Sequence, residues 1–188
     1  MNKGNIILLN GVSSAGKTTL AKAIQARMIE PYFLFGNDVF FDMLPDGLVD
    51  LDWPEAEFQA MFLLSRTARL FSDLGKHVIL DTVLLSVMKN DPYRDLRETL
   101  AGYPVCFVRV VCPVQELARR ERQRGDRDIG QAESQLPLLN PQDGYDLVLD
   151  THAHSGEECA REISEWIARH MGTGVFAFHA GSAAAGWV

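Results

Sequence analysis

Gly11-Val12-Ser13-Ser14-Ala15-Gly16-Lys17-Thr18 has the spacing G-x-x-x-x-G-K-[ST]. Glycines at those two places let backbone N–H groups turn inward as a nest for phosphate oxygens, and a helix that begins there adds its positive dipole end. Lys17 would bridge β- and γ-phosphates as a point charge, and the Thr18 hydroxyl would hold Mg2+. The implied ligands are therefore ATP and Mg2+. The binding set is Gly11, Ser13, Ser14, Ala15, Gly16, Lys17, Thr18 and Thr19. The pattern requires a buried strand just before it and a helix just after it.

Phosphoryl transfer to an alcohol needs a carboxylate to take the hydroxyl proton, and the metal needs an oxygen ligand. Two acids fall where the ligand site of a parallel α/β sheet lies, at the carboxyl ends of strands. Asp38 follows a second apolar run and opens the segment that would meet the acceptor, so it is the candidate base. Asp81 closes the run Val78-Ile79-Leu80 and is assigned to Mg2+ or to orienting substrate. Arg119, Arg120, Arg122, Arg124 and Arg127 crowd the end of a later helix. Spacings of four and three put Arg120, Arg124 and Arg127 on one helical face. Arginines so placed can close over a triphosphate as a lid, here about residues 119–137, and stabilise the transferring group. Arg124 and Arg127 are assigned to catalysis with Lys17 and Asp38, and Arg120 and Arg124 to nucleotide binding. Arg119 and Arg122 read as a solvated helix face.

The stretch from Met28 to Ser65 holds eight acids and no Lys or Arg, leaving 18 bases against 17 acids in the remainder. Acceptors such as nucleoside monophosphates or sugar acids need Arg or Lys to hold their charge. Aromatics stand here instead, among them Tyr32, Phe35, Phe41, Trp53 and Phe58, many of them ordinary core. A small hydroxylated acceptor, neutral or cationic and with aromatic or apolar surface, fits this composition.

These residues need elements to carry them. Apolar runs alternating with helical patterns give an α/β protein of the P-loop NTPase fold, a central mainly parallel five-stranded sheet flanked by helices, with an arginine-rich lid. Strands are predicted at Ile6–Leu9, Tyr32–Phe35, Val78–Leu80, Val105–Val111 and Leu147–Leu149. Helices are predicted at Lys17–Met28, Pro54–Leu74, Pro92–Leu100, from Pro113 into the arginines, and Ser155–Met171. Ser155-Gly156-Glu157-Glu158 reads as a capping box for the last helix. Residues 1–171 form one kinase domain, and the Gly- and Ala-rich tail 172–188 has no assigned role.

The 188 residues are 47% apolar and 23% charged, as in a globular enzyme. A net charge of −7 argues against nucleic acid as partner. No apolar run reaches membrane-spanning length and no cleavable leader precedes the first strand, so a cytoplasmic protein is expected. Its state, monomer or homo-oligomer, stays open. Cys106, Cys112 and Cys159 form no C-x-x-C pair and read as reduced thiols. His152 and His154 read as a loop pair rather than a metal site.

On these residues the chain resembles the chloramphenicol phosphotransferase family of P-loop kinases. The matching stretches are Ile6 to Gly11 with Ser13 to Lys17, Phe35-Gly36 with Asp38, Ile79 with Asp81, Arg120-Glu121 with Arg124-Gly125-Asp126-Arg127, and Tyr145-Asp146 with Asp150-Thr151 and Glu158-Cys159-Ala160. The resemblance implies ATP-dependent phosphorylation of a primary hydroxyl, with Asp38 as the base. It departs at Leu44 to Glu57 and Leu84 to Arg97, and Asp81-Thr82 replaces the family's paired acids. Another antibiotic, a metabolite or a sugar nucleotide is the alternative acceptor. A nucleotide-binding switch is the alternative class, disfavoured because no N-K-x-D motif follows.

Overall fold

The computed structural model describes residues 2–45, 52–86, 91–125, 128–142 and 144–171. Arg127 and the tail from Gly172 lie outside the described residues. The strands are β1 (Ile6–Asn10), β2 (Tyr32–Gly36), β3 (His77–Thr82), β4 (Val105–Val111) and β5 (Leu147–Asp150). They form one sheet in the order β2-β3-β1-β4-β5, and every pairing is parallel. The main helices are α1 (Lys17–Arg27), α2 (Asn37–Phe41), α3 (Trp53–Asp73), α4 (Pro92–Thr99), α5 (Val114–Arg124), α6 (Gln131–Gln135) and α7 (Gly156–His170).

Central β1 is buried along its whole length, as a parallel strand covered on both faces must be. Its alternate residues serve different layers. Ile7 and Leu9 pack with Leu20, Ala21 and Ile24 of α1 and Ile163 of α7. Ile6 and Leu8 pack with Met61, Leu64 and Ala68 of α3. The same period of two runs along β3, where Ile79 faces the α1 layer and Val78 and Leu80 face α3. Asp81, two residues beyond Ile79, therefore turns toward α1, with Leu9 as its register partner on β1.

The predicted helices and strands are present within a residue or two. Ser155 accepts from the Glu158 N–H at 3.2 Å while Glu158 takes the Ser155 N–H at 2.8 Å, completing the capping box. Cys106 and Cys159 are buried and Cys112 half-buried, all free thiols. Burial pushes each thiol upward from its ordinary value. No helix of the described residues is long and apolar enough to cross a membrane.

Two short helices were not read from sequence. Asp38 lies not at a loop after β2 but in the first turn of α2. α6 follows Gly130 inside the stretch read as a lid, where the buried Glu121 carboxylate accepts the N–H groups of Gly130 and Ala132 at 2.8 and 2.7 Å. Five-residue helices are too short to form on propensity alone, so tertiary contacts such as this one decide them.

Gly36 is where β2 comes closest to β3: a Cβ there would stand 2.5 Å from the Asp81 carbonyl oxygen. Gly36→Ala should force the strands apart at a cost of about 1–3 kcal/mol. At roughly 2–4 °C per kcal/mol for a chain of this size, calorimetry should show a melting point several degrees lower. An unchanged melting point would refute this close approach.

Candidate active site

β1 ends at Asn10, and the chain then turns through Gly11 to Gly16 into α1. Gly16 sits at φ 94°, and a Cβ on it would meet the Arg120 guanidinium at 3.1 Å and the Thr151 hydroxyl at 3.2 Å. Both the conformation and the space demand glycine. Ser14 holds φ 60°, and among the described residues its hydroxyl is buried without a hydrogen-bond partner. Such a group calls for a polar ligand.

Lys17, 7% exposed, folds back so that Nζ donates to the Val12 carbonyl at 3.0 Å and lies 3.7 Å from Asp81 Oδ1. The Thr18 hydroxyl donates to Asp81 Oδ2 at 2.7 Å. Strand β3 and the first turn of α1 thus meet at three side chains of opposed chemistry: an ammonium, a hydroxyl and a carboxylate.

Arg120 is fastened rather than loose. Its Nε donates to Glu116 at 2.8 Å, one Nη to the Ser14 carbonyl at 3.3 Å and the Thr151 hydroxyl at 3.1 Å, and the other to the Thr151 carbonyl at 3.0 Å. Arg119 also grips Glu116, through two bonds of 2.6 Å, so its guanidinium is paired within the helix face. Hydrogen bonds from Arg119 and Arg120 hold the Glu116 carboxyl down at about 2. From α6, Gln135 Oε1 accepts the Ser13 N–H at 2.7 Å, joining this region to the phosphate loop.

One cleft of about 920 Å³ brings the site together. Ser13, Ser14, Gly16, Lys17, Thr18, Thr19, Asp38, Asp81, Arg120 and Arg124 all line it. Gly11 and Ala15 do not. Gly11 lies against the Val110 carbonyl, and the Ala15 carbonyl accepts the Thr151 hydroxyl at 2.6 Å. Arg127 lies outside the described residues.

Sequence reasoning passed over Glu57. It stands one turn after Trp53 on α3, is 7% exposed and lines the cleft with Asn37, Phe41 and Trp53. Asn37 Nδ2 donates to its Oε1 at 2.7 Å, tying α2 to α3. Burial, opposed by that bond and reinforced by the charge of Asp38, pushes the Glu57 carboxyl up to about 7. The sequence did mark it as an acid in a cation-free segment, but nothing in that pattern tells a buried carboxyl from a solvated one. Gln135 and Thr151 were likewise missed as parts of the site, since their contacts join chain segments more than a hundred residues apart.

The residues fit a nucleotide and a hard cation. The unpartnered Ser14 hydroxyl and the ammonium of Lys17 face one cleft, and Thr18 with Asp81 offers two adjacent oxygen ligands. Mg2+ binds through one or two carboxylates plus phosphate and water, so so few protein ligands suffice.

The family described as chloramphenicol phosphotransferase-like protein matches residues 4–168 of the chain. A Mycobacterium tuberculosis (strain H37Rv) protein named "Putative O-phosphotransferase Rv2636" is 33% identical, with 88% of this chain and 83% of that protein covered. Among solved structures, Mycobacterium tuberculosis APS kinase CysC in complex with AMPPNP and APS superposes with a TM-score of 0.71 at 19% identity, covering 89% of this chain and 99% of that one. Shikimate kinase from Acinetobacter baumannii in complex with shikimate gives a TM-score of 0.64 at 17% identity, over 88% of this chain and 94% of that one.

The raised value of Glu57 has a sign. Its folded value lies above the ordinary 4.5, so the fold favours the protonated form. The stability this contributes is complete below about 4.5 and is lost as pH rises through about 7, on the order of 3 kcal/mol at most. Urea unfolding of wild type and Glu57→Gln between about pH 5 and about pH 8 should show the wild type losing stability relative to the variant. A difference independent of pH would contradict the buried, uncharged carboxyl.

Proposed function

The chain belongs to the chloramphenicol phosphotransferase-like family and is a nucleotide-using small-molecule kinase, and from that premise we propose that it transfers the γ-phosphoryl group of ATP, with Mg2+, to a hydroxyl of a small neutral aromatic acceptor, chloramphenicol or a similar antibiotic. The observation that carries the acceptor class is the division of charge along the cleft. Lys17 and Arg120 are fixed at the phosphate loop by bonds to the Val12 and Ser14 carbonyls, whereas α2 and α3 bring Asn37, Asp38, Phe41, Trp53 and Glu57, with no cation among them, to the same cleft. An anionic acceptor would meet only acids there; an aromatic one meets Phe41 and Trp53. ATP supply fits a cytoplasmic enzyme.

In this reading the loop N–H groups and Lys17 would hold the phosphates of the nucleotide, and Thr18 and Asp81 would hold Mg2+. The bound nucleotide and metal supply the phosphoryl group and neutralise part of its charge. Arg120 and Arg124, together with Arg127, would balance the charge spread over the transferring oxygens. Asp38, exposed in the first turn of α2, would accept the proton of the acceptor hydroxyl as that hydroxyl's oxygen bonds to the γ-phosphorus and the bond from the γ-phosphorus to the oxygen it shares with the β-phosphate breaks, releasing ADP. Trp53 and Phe41 hold the acceptor's ring.

Lys17→Ala should lower turnover by roughly 10²-fold or more, because electrostatic stabilisation of the transferring group is most of the catalysis. Near-normal phosphorylation by that variant would remove the phosphate loop from the mechanism.

Asp38→Asn keeps size and removes the charge that draws the proton, so nucleotide affinity should persist while transfer falls by about 10² to 10⁴. Asp81→Asn should instead raise the Mg2+ concentration needed for half-maximal rate. Turnover of both is to be compared at saturating ATP, Mg2+ and acceptor, and the Mg2+ requirement of Asp81→Asn is to be read from a Mg2+ titration. Full turnover by Asp38→Asn with a dead Asp81→Asn would exchange the two roles.

A further inference from the structure

Glu57 differs from the other carboxylates of the cleft in being almost wholly buried while still lining the cavity. Among the described residues its side chain takes part in one hydrogen bond, the one Asn37 donates to Oε1. A carboxyl group has capacity for about four such bonds. The other acids that line the cleft are Asp38 of α2, Asp42 just after that helix, and Asp81 of β3, the last paired with Lys17 and Thr18. Among the described residues Lys17, Arg120 and Arg124 are the cations that line the cleft, and Lys17 and Arg120 are held at the phosphate loop by their own contacts.

Burying a carboxyl without a cation is costly. Pinning α2 to α3 does not require it, because a glutamine at this position would accept the same bond from Asn37 with no charge to desolvate. What glutamine could not supply is a second strong acceptor site for something that enters the cleft. Trp53, four residues earlier on α3, lies on the same helical face and lines the same cavity. An aromatic surface thus stands beside a polar acceptor, with Asp38 on the neighbouring helix.

We propose that Glu57, held by Asn37, is a specificity-determining residue that receives a second hydrogen-bond donor of the acceptor, a further hydroxyl or an ammonium group, while the hydroxyl to be phosphorylated faces Asp38. What Glu57 sets is the preference for an acceptor that carries such a second donor over one with a single hydroxyl. This rests on the phosphotransferase reading and narrows its substrate.

The test uses three small probes that share a phenyl ring and a primary hydroxyl: 2-phenylpropane-1,3-diol, phenylalaninol and 3-phenylpropan-1-ol. Phosphorylation with ATP and Mg2+ gives kcat/KM for each, and competition binding beside AMPPNP gives affinities where turnover is slow. At about pH 8, above the value of about 7 to which burial raises the Glu57 carboxyl, the wild type should prefer the diol or the amino alcohol over the simple alcohol by roughly tenfold or more, the scale of a hydrogen bond to a carboxylate. Preference for phenylalaninol would identify an ammonium as the second donor, and preference for the diol a hydroxyl. In Glu57→Gln that ratio should collapse to within about threefold of one. Equal treatment of the probes by the wild type, or a ratio that survives in the variant, overturns the assignment. The wild-type ranking holds whether or not the variant folds. If the wild type neither binds nor phosphorylates any probe, the aromatic-acceptor reading falls as well, which separates the two failures.

Discussion

The hydrogen bond from the Thr18 hydroxyl to Asp81 Oδ2, 2.7 Å long, ties together everything the site needs. It exists because β1 and β3 pair in parallel with Leu9 opposite Asp81, so the phosphate loop that leaves β1 and the acid near the end of β3 emerge side by side. The alternation of β3 then turns Asp81 into the α1 layer. Lys17 completes the cluster, 3.7 Å from the same carboxylate and bonded to the loop's own Val12 carbonyl. Moving β3 by one residue along β1 would send its carboxylate to the α3 layer and leave Thr18 without its partner.

That arrangement also divides the cleft electrically. The loop, Lys17 and Arg120 make a cationic end, and Arg120 is kept there by Glu116 and Thr151 rather than left to solvent. α2 and α3 contribute Asp38, Glu57, Phe41 and Trp53 to the same cleft, and Gly36 brings β2 close enough to β3 for α2 to start beside Asp81.

Much of this was legible in the sequence. The phosphate loop declares itself because its spacing is a backbone requirement, and Asp81 follows from the apolar run that precedes it. Central strands and long helices are visible because burial on both faces or on one stripe imposes a period. α2, α6 and the role of Glu57 were not visible, for a common reason. Each depends on a contact between distant segments: Glu121 with Gly130 and Ala132, Asn37 with Glu57, Gln135 with Ser13. Composition marked residues 28–65 as cation-free, but only packing shows that among its described acids Glu57 is the one buried against the cleft.

The account turns on where the γ-phosphoryl group goes. Incubation with ATP, Mg2+ and chloramphenicol, followed by mass spectrometry of the small-molecule fraction, answers this directly. The account predicts an acceptor heavier by one phosphoryl group, formed in step with ADP. ADP released to inorganic phosphate at the same rate with or without neutral aromatic alcohols, or phosphoryl transfer only to an anionic acceptor offered alongside, would contradict it.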